Sequence, residues 1–189
     1  MDTYIYMVRH GESPKEGDER TRGLTAKGYE DALLIGELLR NEEIDVVLSS
    51  PYKRSILSVQ PIAKQIGQEV IVIDNLKERM FTGENNRMSD KELLPLLKKS
   101  FEDPYFSLSG AESNTDCQKR AVKVLQEILN VYKGRRVVVG THGAIMTLMM
   151  GFYSPDYSLD FLLQTTKPDI YRMQFNVQQL VEVKKLWKE

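Results

Sequence analysis

The chain has 189 residues, of which 26 are Lys or Arg and 27 are Asp or Glu, for a formal net charge of −1. Such a length fits one domain around one large core, and the balanced charge excludes a global field for nucleic acid, so affinity for an anion must come from local clustering. A single cysteine, Cys117, leaves no intrachain disulfide framework and no cysteine-based metal cluster, and no apolar run reaches membrane-spanning length. No charged and apolar leader precedes the first strand, so the expectation is a cytoplasmic protein with neither a nucleic-acid nor a membrane partner.

Residues 4–8, Tyr-Ile-Tyr-Met-Val, are β-branched, aromatic or apolar, which predicts a buried strand. The run breaks abruptly into Arg9-His10-Gly11-Glu12, and the carboxyl ends of strands are where open α/β sheets place ligands. A charged, turn-rich loop follows over 14–23. Thr25 stands at an N-cap position, and Tyr29, Ala32, Leu33, Gly36 and Leu39 mark one face of a helix running to about Arg40. Val46-Val47-Leu48 predicts a second strand, which Ser49-Ser50-Pro51 turns into a helix with Ile56, Val59, Ile62, Ala63 and Ile66 inward and a kink at Pro61. A third strand is expected over 70–73, leading into Asn75-Leu76-Lys77-Glu78-Arg79.

Residues 82–113 form an irregular excursion beside the site, with a short helix over 90–101 interrupted by Pro95. Thr115 is expected to cap a helix whose stripe is Cys117, Ala121, Val124, Ile128 and Tyr132. The Val-rich segment 136–140 predicts a fourth strand buried on both faces and ending at Thr141-His142-Gly143. A helix over 144–150 and a hairpin of 170–177 with 180–186 around Gln178-Gln179 complete the chain. This alternation predicts an α/β fold with a mostly parallel sheet covered on both faces, one domain over 1–189.

The two histidines, His10 and His142, each stand between a polar residue and a glycine at the end of a predicted strand. Either alone would read as an ordinary core or surface histidine; at equivalent positions they point to function. A neutral imidazole is a competent nucleophile towards phosphorus, and cations stabilise the phosphoryl oxygens. Arg9 and Arg54 supply such cations and disfavour protonation of a nearby histidine. The helix after His142 adds backbone N–H groups and a dipole, an anion site in waiting.

Arg9-His10-Gly11-Glu12, Ser49-Ser50-Pro51-Tyr52-Lys53-Arg54, Leu76-Lys77-Glu78 and Gly140-Thr141-His142-Gly143 resemble, in order and spacing, the motifs of the histidine phosphatase superfamily, also called the phosphoglycerate mutase-like family. The resemblance covers nearly the whole chain. It implies a three-layer α/β/α sandwich and a phosphohistidine mechanism with no metal and no cofactor. It also implies roles: His10 as nucleophile, Arg9, Arg54 and His142 as the phosphoryl pocket, and Glu78 as proton donor. Glu12 and Glu84 are the alternative acids, because Lys77 and Arg79 let Glu78 pass for part of a surface ion-pair run. Ser13 and Ser113 resemble further family contacts, with turn capping the competing reading. Arg22, with Arg20 and Lys15, is a candidate for the non-phosphoryl part of the substrate, against a solvated loop, and Thr141 and Gly143 are expected to contribute through the backbone.

Mutases of the family commonly carry Trp-Asn-type residues where this chain has Pro14-Lys15, together with longer covering segments. A mutase must shield its phosphoenzyme from water, so the expected activity is hydrolysis of phosphomonoesters on a small phosphorylated metabolite. The alternatives are a phosphoglycerate mutase, or a protein phosphohistidine phosphatase or regulatory module with a phosphoprotein partner. Residues 22–28 resemble the phosphohistidine phosphatase branch, which often lacks the acid; Glu78 favours an ester.

Overall fold

The computed structural model describes residues 1–83 and 88–188. Strand β1 (Thr3–Arg9) lies between β4 (Arg136–Thr141), to which it is parallel, and β5 (Asp169–Asn176), to which it is antiparallel. With β2 (Val46–Ser49), β3 (Ile71–Val72) and β6 (Gln179–Lys185) these form a six-stranded sheet of order β3-β2-β4-β1-β5-β6. Four strands are parallel, and the closing hairpin adds the antiparallel edge.

Alternation along β1 and β4 builds both cores. Ile5, Met7, Val137 and Val139 point to the layer of α4 (Asn114–Val131) and α5 (Gly143–Gly151). Tyr6, Val8 and Val138 point to that of α1 (Ala26–Leu39) and α2 (Lys53–Gln65). A period of two with apolar residues on both faces is what a strand covered by two helical layers requires. The result is a three-layer α/β/α sandwich.

Several local expectations change. The α1 stripe is shifted in part: Ala32, Gly36 and Leu39 are buried as expected, but Tyr29 is 48% and Leu33 63% exposed, and Gly28, Asp31 and Ile35 complete the buried face. Small residues set this face. A Cβ on Gly28 would stand 2.2 Å from the Glu12 carbonyl oxygen, so only glycine lets the helix meet the loop after His10. Thr25 caps α1 as expected, accepting the Gly28 N–H at 3.1 Å. Ser113, not Thr115, caps α4 by accepting the Asp116 N–H at 3.0 Å, while the Thr115 hydroxyl donates to the Pro104 carbonyl.

Helix α2 runs through Pro61 to Gln65. Within the irregular excursion, α3 (Asp90–Glu102) likewise continues past Pro95, started by a capping box between Ser89 and Glu92. The third strand is only two residues long and passes into a 3-10 turn over Asp74–Leu76. A short α6 (Leu159–Gln164), which the periodicity did not reveal, buries Leu162. The hairpin turns at Val177-Gln178, one residue earlier than expected, with Val177 at φ 56°. No helix of the described residues is long and apolar enough to cross a membrane.

Candidate active site

Parallel pairing of β1 with β4 sets Arg9 opposite Thr141, so the residues that follow, His10 and His142, leave the sheet side by side. Their rings lie 5.2 Å apart, edge to face. The His10 N–H donates to the Thr141 carbonyl at 3.1 Å, which continues the ladder one step past the strand. Beyond these ends opens a cavity of about 590 Å³, lined at its inner end by Arg9, His10, Tyr52, Arg54, Glu78 and Gly143. It lies where ligands bind in open α/β sheets.

His10 is only 6% exposed and its tautomer is fixed by two neighbours. Nδ1 lies 2.7 Å from the Gly11 carbonyl oxygen, which only accepts, so Nδ1 carries the proton. Nε2 receives the Arg54 Nε–H at 3.1 Å, so it holds the lone pair. Burial, with Arg54 and Arg9 nearby, holds the imidazole well below the ordinary histidine value. His10 is therefore a neutral base whose free nitrogen faces a guanidinium.

Arg54 starts α2 and is 2% exposed. Besides His10 it donates to the Glu19 carbonyl at 2.6 Å and to Glu19 Oε2 at 3.0 Å. Burial and the nearby Arg22 push its pKa down to about 10, so it keeps its charge at neutral pH. Glu19 also takes two hydrogen bonds from Arg22, at 3.0 and 3.1 Å, and thereby ties the 14–23 loop to the pocket floor. Arg22 donates in addition to Ser13 Oγ at 2.6 Å, and Ser13 donates to the Gly23 carbonyl. Ser13 and Arg22 both line the cavity. Arg20 instead pairs with Asp74, and Lys15 with Asp90 at 4.0 Å, both on the exposed rim.

Arg9 donates to the carbonyl and hydroxyl of Thr165, just past α6, and burial lowers its pKa. Gly143 packs against it: a Cβ there would lie 3.0 Å from the Arg9 Cζ and Nη2. His142 is fully buried, off the cavity wall, with Nε2 2.7 Å from Ser50 Oγ and Tyr52 against its ring at 5.0 Å. Its Nδ1 has no hydrogen-bond partner among the described residues, and burial followed by Arg54 and His10 holds the ring well below its ordinary pKa. Thr141 is likewise buried beneath the pocket, where its carbonyl anchors His10.

Glu78 occupies the anion site that the sequence assigned to a ligand. Its Oε2 accepts the Ala144 N–H at 3.1 Å, and its Oε1 accepts those of Ile145 at 2.9 Å and Arg79 at 2.8 Å. The positive end of α5 thus holds a carboxylate of the chain itself, aimed along the cavity wall. Oε2 thus takes one donor and Oε1 two. Of the alternative acids, Glu12 also lines the cavity and accepts the Thr25 hydroxyl at 2.8 Å, while Glu84 lies outside the described residues.

The sequence did not reveal Glu19, Thr165, Tyr52 or Arg79 as parts of this site. Arg79 is 4% exposed and stacks on Phe81, with its Cζ 3.7 Å from the ring centre. The outer wall is apolar on one side, with Met80, Phe81, Met88, Leu93 and Leu97. Among the described residues no cluster of three or more His, Cys, Asp or Glu side chains stands close enough to hold a metal ion.

The chain is similar to known proteins over most of its length. A metal-independent phosphoserine phosphatase from Arabidopsis thaliana is 32% identical over 157 residues, 76% of this chain and 66% of that protein. Phosphoserine phosphatase 1 from Hydrogenobacter thermophilus is 30% identical over 158 residues, 77% of this chain and 73% of the other. Among solved structures, phosphoserine phosphatase from Entamoeba histolytica in complex with 3-phosphoglyceric acid shares the fold, with a TM-score of 0.81 at 20% identity over 99% of this chain and 98% of that chain. The two sequence relatives support a phosphatase. A model of the histidine phosphatase superfamily (branch 1) matches residues 5–180, and the chain belongs to that family.

Proposed function

We propose that the protein is a metal-independent phosphomonoesterase that carries the phosphoryl group on His10. The observation that bears most weight is the fixed tautomer of His10, with Nδ1 bonded to the Gly11 carbonyl and the Nε2 lone pair facing Arg54 at the cavity floor. An entering phosphate takes over the Arg54 N–H and frees that lone pair. Nε2 then attacks phosphorus in line, the P–O ester bond breaks, and the leaving oxygen takes a proton from Glu78 to give the alcohol. Water next attacks the phosphohistidine, its proton passes to Glu78, and the P–N bond breaks to release inorganic phosphate and neutral His10. Arg9 and Arg54 face the charge that builds on the phosphoryl oxygens, and the burial of Arg54 and His10 strengthens those contacts.

Glu78 at the cavity wall favours a phosphate ester over a phosphoramidate, whose leaving group needs less help from an acid. The cavity suits a small phosphorylated metabolite, the kind of ligand named for the Entamoeba histolytica structure. Hydrolysis of 4-nitrophenyl phosphate is expected to survive a chelator and to vanish in His10→Ala; undiminished activity in that variant would contradict the proposal. Phosphorus NMR of 3-phosphoglycerate separates this reading from a mutase. Phosphate release without 2-phosphoglycerate is expected, and accumulation of 2-phosphoglycerate would assign an isomerase.

A further inference from the structure

The loop that carries Glu78 is gripped from behind by an ion pair outside the cavity. Arg120 of α4 makes a forked contact with Glu112, Nε to Oε2 at 3.0 Å and Nη2 to Oε1. The same guanidinium donates to the carbonyls of Asn75 at 2.7 Å, Lys77 at 2.9 Å and Glu78 at 3.2 Å. Glu112 Oε1 in turn accepts the Met80 N–H, and the Met80 carbonyl accepts the Glu112 N–H, both at 3.1 Å. One pair therefore fixes the backbone on both sides of Glu78. Neither member lines the cavity, and their side chains are only 16% and 11% exposed.

Glu78 is thus strung between two helices. Its carboxylate is anchored on the first N–H groups of α5, and its carbonyl on Arg120 of α4. We propose that Arg120 and Glu112 are a positioning pair for Glu78, holding residues 75–80 so that its carboxyl group meets the leaving oxygen. This rests on the reading of Glu78 as the acid. Arg is suited to the task because its planar fork serves the carboxylate and the carbonyls at once, which a lysine ammonium does not.

The test compares Arg120→Lys with wild type on two esters, 4-nitrophenyl phosphate, whose leaving group departs without a proton, and glycerol phosphate, whose alkoxide needs one. A displaced acid is expected to lower kcat/KM, which reports the steps up to departure of the leaving group, by about 10- to 100-fold on glycerol phosphate and by less than about 3-fold on 4-nitrophenyl phosphate, with inhibition by inorganic phosphate unchanged. Because the effect runs through Glu78, adding Arg120→Lys to Glu78→Gln should move the ratio of the two kcat/KM values by less than about 2-fold. Equal losses on both esters, no loss on either, or an undiminished effect in the Glu78→Gln background would overturn the proposal. If Arg120→Lys does not fold, by circular dichroism and thermal unfolding, Glu112→Gln takes its place under the same criteria. If Glu78→Gln alone leaves the ratio at its wild-type value, Glu78 is not the acid and the pairing proposal falls with that reading. If Glu78→Gln shifts the ratio and Arg120→Lys does not, only the positioning proposal falls.

Discussion

The inner and outer ends of the cavity are built differently. At the inner end Arg9, His10 and Arg54 leave strand ends or the start of a helix, and each is tied to a partner distant in sequence: Thr165, the Thr141 carbonyl and Glu19. At the outer end Lys15, Met80, Phe81 and Met88 come from connecting segments, and Leu93 and Leu97 from α3, whose N-terminus meets the 14–23 loop through the exposed pair Lys15–Asp90. On the proposed reading the phosphoryl-handling side chains Arg9, His10 and Arg54 sit on parts of the fold that cannot shift without disturbing the sheet, while the wall that would meet the rest of the substrate can vary at little cost. The inner end should govern kcat for every ester, and the outer wall should govern which esters are held.

Substitutions at each end put that division to the test. Replacing His10 by Ala removes the nucleophile and should lower kcat about 10⁴-fold or more on all esters, as measured by phosphate release. Next in size, Glu78→Gln should reduce kcat/KM for alkyl phosphates by about 10²- to 10⁴-fold and leave that of aryl phosphates much less affected, read from a series of leaving groups.

Arg54→Met should cost about 10²- to 10³-fold and also move the pH profile. In the wild type, burial, Arg54 and Arg9 hold His10 well below 6.5, so the acid limb of kcat/KM should lie below that value. Without the Arg54 charge the imidazolium is less disfavoured, the pKa rises, and the limb should shift to higher pH. A profile that does not move would show that Arg54 does not act on His10. The smallest effect is expected at the outer wall. Leu93→Ala with Leu97→Ala should raise KM for bulky aryl esters about 3- to 10-fold, since truncating an apolar contact is worth about 1–3 kcal/mol. The kcat for small esters should hold, and a loss there would undo the separation between the two ends.

What the sequence shows of this molecule follows the reach of its interactions. The strands β1 and β4 were legible because Ile5 to Val8 and Val137 to Val139 are apolar at successive positions and rich in β-branched residues, as a strand buried on both faces requires. The neighbouring positions of His10 and His142 were legible because both follow such strands. By contrast, Glu19 lies in a loop with no periodicity, and its bond to Arg54 spans 35 residues; Thr165 is 156 residues from Arg9. Nothing local encodes such pairings. Tyr29 and Leu33 misled in the α1 stripe because the close contact with Glu12 is made by Gly28, which a search for bulk passes over. The start of α5 was read as open to a ligand because its occupant, Glu78, is 66 residues from Ala144.

The central claim is that His10 transiently carries the phosphoryl group. The most direct measurement is rapid quenching of turnover into alkaline denaturant, which preserves phosphohistidine, followed by mass spectrometry of the peptide containing residues 9–13. The account predicts a phosphoryl group on His10 that forms before alcohol release is complete, decays as inorganic phosphate appears, and is absent in His10→Ala. Steady phosphate release with no label on His10, or with the label on another residue, would contradict it.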